Sequence, residues 1–202
     1  MKIRNEVLIV GALALSLLGT SAVTTVEAQQ KRKVMVIRNI SVNDVRTPEY
    51  ETKPNFKPVI KEWKQFEVEY ATDPDWVDEL TFTYYVLLKN SDNAKPNNPR
   101  AAYTLLRGDV VNMNIKKGSG HVSVMYLHPS TVDRYGELDR LAVLVTHEGT
   151  SAAMETQPSS KTRWWEEMAP VTGLLHNRLE SPFAMIAYDR YEAIKVSSAG
   201  SR

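Results

Sequence analysis

Apolar residues return at every second position over much of the chain, the spacing of a strand that buries one face. The pattern is strictest over residues 80–88, where Leu80, Phe82, Tyr84, Val86 and Leu88 share a face and Thr81 and Thr83 begin the other. Phe66, Val68 and Tyr70 repeat it within residues 62–70, and residues 32–40 set Val34, Val36 and Arg38 against Met35, Ile37 and Asn39 as a first strand. Residues 103–107 and 109–115 read as two strand pieces, with Gly108 a bulge or tight bend between them. Residues 116–120 (Lys-Lys-Gly-Ser-Gly) then predict a turn and 121–127 a returning strand, hence a hairpin. Residues 138–146 are apolar on both faces through Leu141, Ala142, Val143, Leu144 and Val145, as in a central strand. Residues 161–168 are the last predicted strand.

Breakers separate these runs. Pro48, Pro54 and Pro58 make residues 47–58 a surface crossing, because each fixes φ and removes a ladder donor. Asp73-Pro74-Asp75 predicts a turn, residues 90–100 a polar loop, 129–136 one helical turn, and 150–160 an irregular segment. The period changes near the end. Ser181 and Pro182 supply an N-cap and a first-turn proline, and Phe183, Ile186, Ala187, Tyr191 and Ile194 follow at helical spacing. A helix is predicted over 182–195, with 197–202 a frayed tail. Short strands, many turns and little helix define an all-β class: an antiparallel immunoglobulin-like sandwich of about seven or eight strands with a short C-terminal helix, one domain over 29–202.

The N-terminus has a different logic. Lys2 and Arg4 precede an apolar run over residues 7–19, and Val26-Glu27-Ala28 offers a small-residue cleavage site. These are the parts of a secretory signal peptide over residues 1–28, which places the mature protein outside the cytoplasm: periplasmic, outer-membrane-associated or extracellular. The alternative is a retained anchor, since no charge interrupts residues 7–26. Thr20, Ser21, Thr24 and Thr25 weaken that drive. A pilin leader is excluded, because the run is short and no glycine precedes a Phe-type start.

Composition narrows the chemistry. Lys plus Arg total 25 and Asp plus Glu 24, for a net charge of +1, so nucleic acid has no electrostatic footprint here. With no cysteine there is no disulfide, thiol nucleophile or thiolate-bound metal, and packing alone must hold the fold. The four histidines, His121, His128, His147 and His176, form no HExxH motif or close ligand pair. His121 and His128 would lie about 23 Å apart along one extended strand, too far to share an ion. No serine sits in GxSxG or SxxK, and Gly118-Ser119-Gly120 lacks the helix a phosphate loop requires. Asp73, Asp75, Asp78 and Glu79 miss the EF-hand spacing and read as a solvated turn. Glu166 and Glu167 are adjacent, so on a strand they diverge. No enzyme, metal or cofactor is expected.

The aromatic pairs Trp164-Trp165 and Tyr84-Tyr85 say more. On strands one member of each pair must face outward, to be covered by the C-terminal helix or left as a contact surface. Trp164, Trp165 and Tyr85 are therefore the candidate binding surface, since exposed Trp and Tyr are enriched at interfaces.

Glu180-Ser181-Pro182-Phe183-Ala184 and Tyr188-Asp189-Arg190-Tyr191-Glu192, after Trp164-Trp165-Glu166-Glu167 and Gly173-Leu174-Leu175, resemble small secreted proteins of Verrucomicrobia-type bacteria. Over the mature region the chain is similar to an Akkermansia-type immunoglobulin-like family encoded beside type IV pilus genes. The resemblance implies a sandwich, export, and protein contact within a pilus-like or envelope assembly or with a host surface. It carries no catalytic residues. The expectation is a non-enzymatic contact protein that pairs a sheet edge or an outward aromatic face with a protein partner. The alternative is a carbohydrate-binding module that stacks sugars on Trp164, Trp165 and Tyr85.

Overall fold

The computed structural model describes residues 33–49, 59–93 and 97–196. The predicted signal peptide, most of the proline-rich crossing, the middle of the 90–100 loop and the tail over 197–202 lie outside the described residues.

Two long strands organise everything else. β2 (Glu62–Lys89) and β3 (Tyr103–Leu127) pair antiparallel along nearly their whole lengths, from Lys64↔Leu127 to Lys89↔Tyr103. Tyr70 and Phe82 are twelve positions apart on β2, about 40 Å if the strand were straight. Their ring centroids are 5.0 Å apart. The ribbon must therefore bend back on itself, and its two halves become the two layers of a sandwich. Tyr84 confirms the approach by donating its hydroxyl to Ser123 Oγ of the opposite half at 3.0 Å.

Both predicted turns fall at this bend, and neither reverses the chain. Between Thr72↔Gly118 and Trp76↔Lys116, Asp73-Pro74-Asp75 stands opposite Lys117 alone, and Gly120 is skipped between His121 and Ser119. Extra residues on one strand increase twist and curvature without ending the pairing. The turn-forming residues thus bend two strands together, and the predicted hairpin over 109–127 is one continuous strand. Gly108 is likewise no bulge. It pairs in register with Tyr84 and is needed because an added Cβ would lie 2.8 Å from Leu175 Cβ.

The remaining elements attach to this ribbon. β1 (Met35–Arg46) pairs with the first half of β2, and β4 (Glu137–His147) with the second half. β5 (Thr150–Gln157) pairs with β4 across a two-residue turn at Glu148 and Gly149, both with positive φ. The expected irregular segment is therefore mostly strand. β6 (Val171–Thr172), β7 (Leu175–Asn177) and β8 (Ala193–Ile194) are short pieces along the outer edge of β3. α1 (Pro129–Tyr135) is the predicted helical turn, capped by His128 and closed by Gly136.

The core between the layers is built from the alternating faces read in the sequence: Phe66, Val68 and Tyr70 from one half of β2, Leu80, Phe82, Tyr84, Val86 and Leu88 from the other, with Leu141, Val143 and Val145 of β4. Burial pushes the Tyr84 phenol well above its ordinary range. The fold is an all-β, mainly antiparallel sandwich, with eight strands among the described residues. The predicted C-terminal helix is not formed: residues 181–192 run as turns, with a single 3-10 turn over Tyr188–Arg190.

Candidate contact surfaces

Alternation leaves each layer with an outer apolar face, and a non-strand segment covers each. On the outer face of the second layer, Leu87, Leu105 and Ala142 are buried beside Tyr85. Residues 161–168 do not join the sheet as a strand. They form the 3-10 turn Trp164–Glu166, which brings both indoles onto this face. A turn of this kind does not send neighbouring side chains to opposite sides, so the expected outward indole is absent: Trp164 is 6% exposed and Trp165 4%. Trp165 stacks on Tyr85 at 6.1 Å between centroids, and Trp164 meets Trp165 edge-on at 5.5 Å. Trp164, Trp165 and Tyr85, expected as a binding surface, are brought together by the structure as mutual cover. Trp164 Nε1 is buried there without a hydrogen-bond partner.

The outer face of the first layer presents Trp63 of β2 with Val124 and Tyr126 of β3. A strap over residues 178–192 crosses it. Phe183 stacks on Tyr126 at 4.7 Å and meets Trp63 edge-on at 5.9 Å. Asn177 and Glu180 form a capping box that launches the strap, with Asn177 Oδ1 accepting from the Leu179 N–H at 2.9 Å. Ser181 does cap a turn, accepting from the Phe183 N–H at 3.2 Å, but the chain does not continue as a helix. Ala187 sits at φ +47, in the left-handed region, where the helical path ends. Polar anchors replace the helix. Arg178 is buried, donates to the Ala184 carbonyl, and lies over the rings of Tyr188 and Tyr191 at 5.0 and 5.2 Å. Arg190 donates to the nearly buried Glu67 carboxylate at 2.6 Å, and His121 Nδ1 lies 2.6 Å from Glu192 Oε1. Sequence reasoning missed Arg190–Glu67 and His121–Glu192 because each joins residues far apart in the chain.

The histidines do not converge on an ion. His121, on β3, faces the strap's Glu192, His147 ends β4, and His128 and His176 lie at 4.6 and 6.0 Å from the Trp63 ring. No group of three or more His, Asp or Glu able to hold a metal occurs among the described residues. His128 Nδ1 accepts from the Ser130 N–H at 3.1 Å, capping α1. Desolvation, then nearby Lys61 and His176, lowers its pKa below the ordinary imidazole value.

With both faces covered, backbone edges become the open chemistry. Among the described elements β1 pairs only with β2. The Thr47 N–H donates to the Lys61 carbonyl at 2.9 Å, in the same register as Arg46↔Glu62. Alternation then turns the backbone groups of Val45 and Asn43 toward β2, and those of Arg46, Asp44 and Val42 away from it. Asp44 also accepts from Lys64 at 2.8 Å, which raises the lysine pKa.

A cysteine-free, immunoglobulin-like sandwich with an unpaired edge strand is the class that these features define. A family model matches residues 25–198, and the chain belongs to that pilus-associated, Akkermansia-type family of Verrucomicrobia. A crystal structure of a protein from Akkermansia muciniphila is similar, with a TM-score of 0.65 and 25% identity, covering 80% of this chain and 93% of that one. No curated protein matches the chain in sequence.

Proposed function

We propose that the chain is a non-enzymatic, exported contact protein of a pilus-associated envelope system, and that it holds a protein partner by strand addition at β1. The observation that carries this reading is the β1 edge, where the backbone groups of Val42, Asp44 and Arg46 face away from β2. Strand addition uses such groups for affinity and the neighbouring side chains for selectivity. Membership of a pilus-associated family supplies the setting. Sugar stacking at Trp164, Trp165 and Tyr85 is the weaker reading, because the two indoles are nearly covered.

The test is cross-linking in the native envelope. Asp44→Pro removes a donor that β2 does not use, whereas Asp44→Asn keeps it. Partner cross-links should disappear in the first variant and persist in the second, while both purified variants, each lacking the Asp44–Lys64 pair, melt alike. Equal cross-linking in both would reject pairing at β1.

A further inference from the structure

Of the four tryptophans, Trp63, Trp164 and Trp165 are 8%, 6% and 4% exposed, whereas Trp76 is 62% exposed. Trp76 is the first residue to rejoin the ladder after Asp73-Pro74-Asp75, and it pairs with Lys116. Its neighbour Val77 is buried, so the indole is the side chain that alternation sends out of the bend. Lys116, across the ladder, and Lys117, next to it, are both exposed. The chain enters the fold at the same place. Met35 pairs with Thr72, and the Val34 carbonyl accepts from the Asp73 N–H at 3.1 Å. Lys33 is exposed just before it, and the sequence sets Lys31 and Arg32 ahead of that. Only residues 27–32 separate Lys33 from the uncharged run over 7–26, a reach of about 25 Å when extended.

In the bend and the sequence leading into it, Lys31, Arg32, Lys33, Lys116 and Lys117 outnumber Asp73, Asp75 and Asp78, and Lys117 already holds Asp73 at 3.7 Å. An exposed indole among bases suits the surface of a bilayer. Tryptophan settles at headgroup level, with its ring against hydrocarbon and its N–H in water, and each lysine or arginine nearby gains from anionic headgroups. A protein pocket would also take the indole. The excess of bases and the apolar run a short tether away select lipid instead, because stable membrane attachment needs two signals and this end of the chain carries both.

We propose that the bend is a membrane-docking end, where Trp76 enters the headgroup layer of an anionic phospholipid surface and Lys33, Lys116 and Lys117 meet its phosphates. β1 runs from the bend at Met35 to Arg46, so docking turns the pairing positions Val42, Asp44 and Arg46 away from the lipid.

The probe is a vesicle of phosphatidylglycerol and phosphatidylcholine whose acyl chains carry bromine near the headgroup. It is added to the full chain while tryptophan emission is followed. The other three indoles are covered, so the change reports Trp76. Bromine should quench part of the emission, and Trp76→Phe should abolish that part. Iodide should reach Trp76 in the free chain and lose access once vesicles are present. Lys116→Glu combined with Lys117→Glu should reduce the bromine quenching about threefold or more, even though the N-terminal run still brings the chain to the vesicle. Absence of bromine quenching would overturn the proposal. So would equal quenching in the lysine variant, which would mean tethering alone. An indole closed to iodide in the free chain would mean that another part of the chain covers it, and shielding by lipid-free envelope protein in place of vesicles would assign it to a protein partner; either result also overturns the proposal. Should the lysine variant fail to fold, the bromine and iodide results on the unaltered chain still decide. Pairing at β1 and docking at the bend use opposite ends of β1, so each stands or falls without the other.

Discussion

The two covered faces solve one problem by different physics. The tryptophan cover is dry: Trp164 and Trp165 pack on Tyr85, Leu87, Leu105 and Ala142, and even the indole N–H of Trp164 goes without a partner. The strap holds one apolar plug, Phe183, in place with ionic and capping contacts from Arg178, Arg190, Glu192 and Asn177. A short turn with two large rings can anchor itself by burial. A longer irregular segment must fix more backbone, at roughly 1–2 kcal/mol per residue, and needs contacts at several points along its length. The first cover, whose ion pairs Arg163–Glu166 and Arg100–Glu167 are both exposed, should therefore be the less sensitive to salt and pH, and the second the more sensitive.

That contrast can be broken at graded points. Trp165→Ala should cost about 3–5 kcal/mol, read by denaturant unfolding, with no change in its salt dependence. Arg178→Ala should cost about 2–4 kcal/mol, because it empties the space between Tyr188 and Tyr191 and frees the Ala184 carbonyl. Arg178→Met should recover part of that loss by refilling the space. Glu67→Gln should cost only about 1 kcal/mol, since Arg190 is half exposed and water can take over its solvation, and the loss should shrink further in high salt. A cost for Glu67→Gln as large as that of Trp165→Ala would erase the distinction between the covers.

The smallest effect concerns His128 beside the strap's anchor ring, Trp63. Its folded pKa is lowered, so its contribution is fully present above the ordinary imidazole pKa and is lost as pH falls through the folded value. A protonated Nδ1 cannot accept from the Ser130 N–H. His128→Asn keeps an acceptor at the cap and should flatten the acid limb of a melting-temperature profile. An unchanged profile would remove His128 from the account.

What could be read beforehand follows a physical divide. The inward faces of β2 and β4 were legible because a buried face writes period two directly into the chain, as Phe82, Tyr84 and Val86 illustrate. The packing of Trp164 and Trp165 was not legible, because the outward indole expected of a strand disappears once residues 164–166 form a 3-10 turn. The bend was misread as turns, since Asp73-Pro74-Asp75 and Gly118-Ser119-Gly120 carry the same local chemistry whether a chain reverses or two strands curve together. The C-terminal helix failed for a related reason. Phe183 and Tyr191 fall at helical spacing, yet the contacts that decide the conformation, Arg190 with Glu67 and Glu192 with His121, are long-range and leave no periodic trace. The Glu148-Gly149 hairpin was readable in principle, because a glycine between two runs is the usual mark of a positive-φ turn.

Because the same pair of strands runs through both layers, neither sheet has an independent existence. Loosening one half of β2 removes the ladder partners of the same β3 whose other half builds the facing layer. Thermal or chemical denaturation should therefore pass through a single step sensed alike by Trp63 on one side and Trp165 on the other, and a load applied at any edge is shared by the whole body.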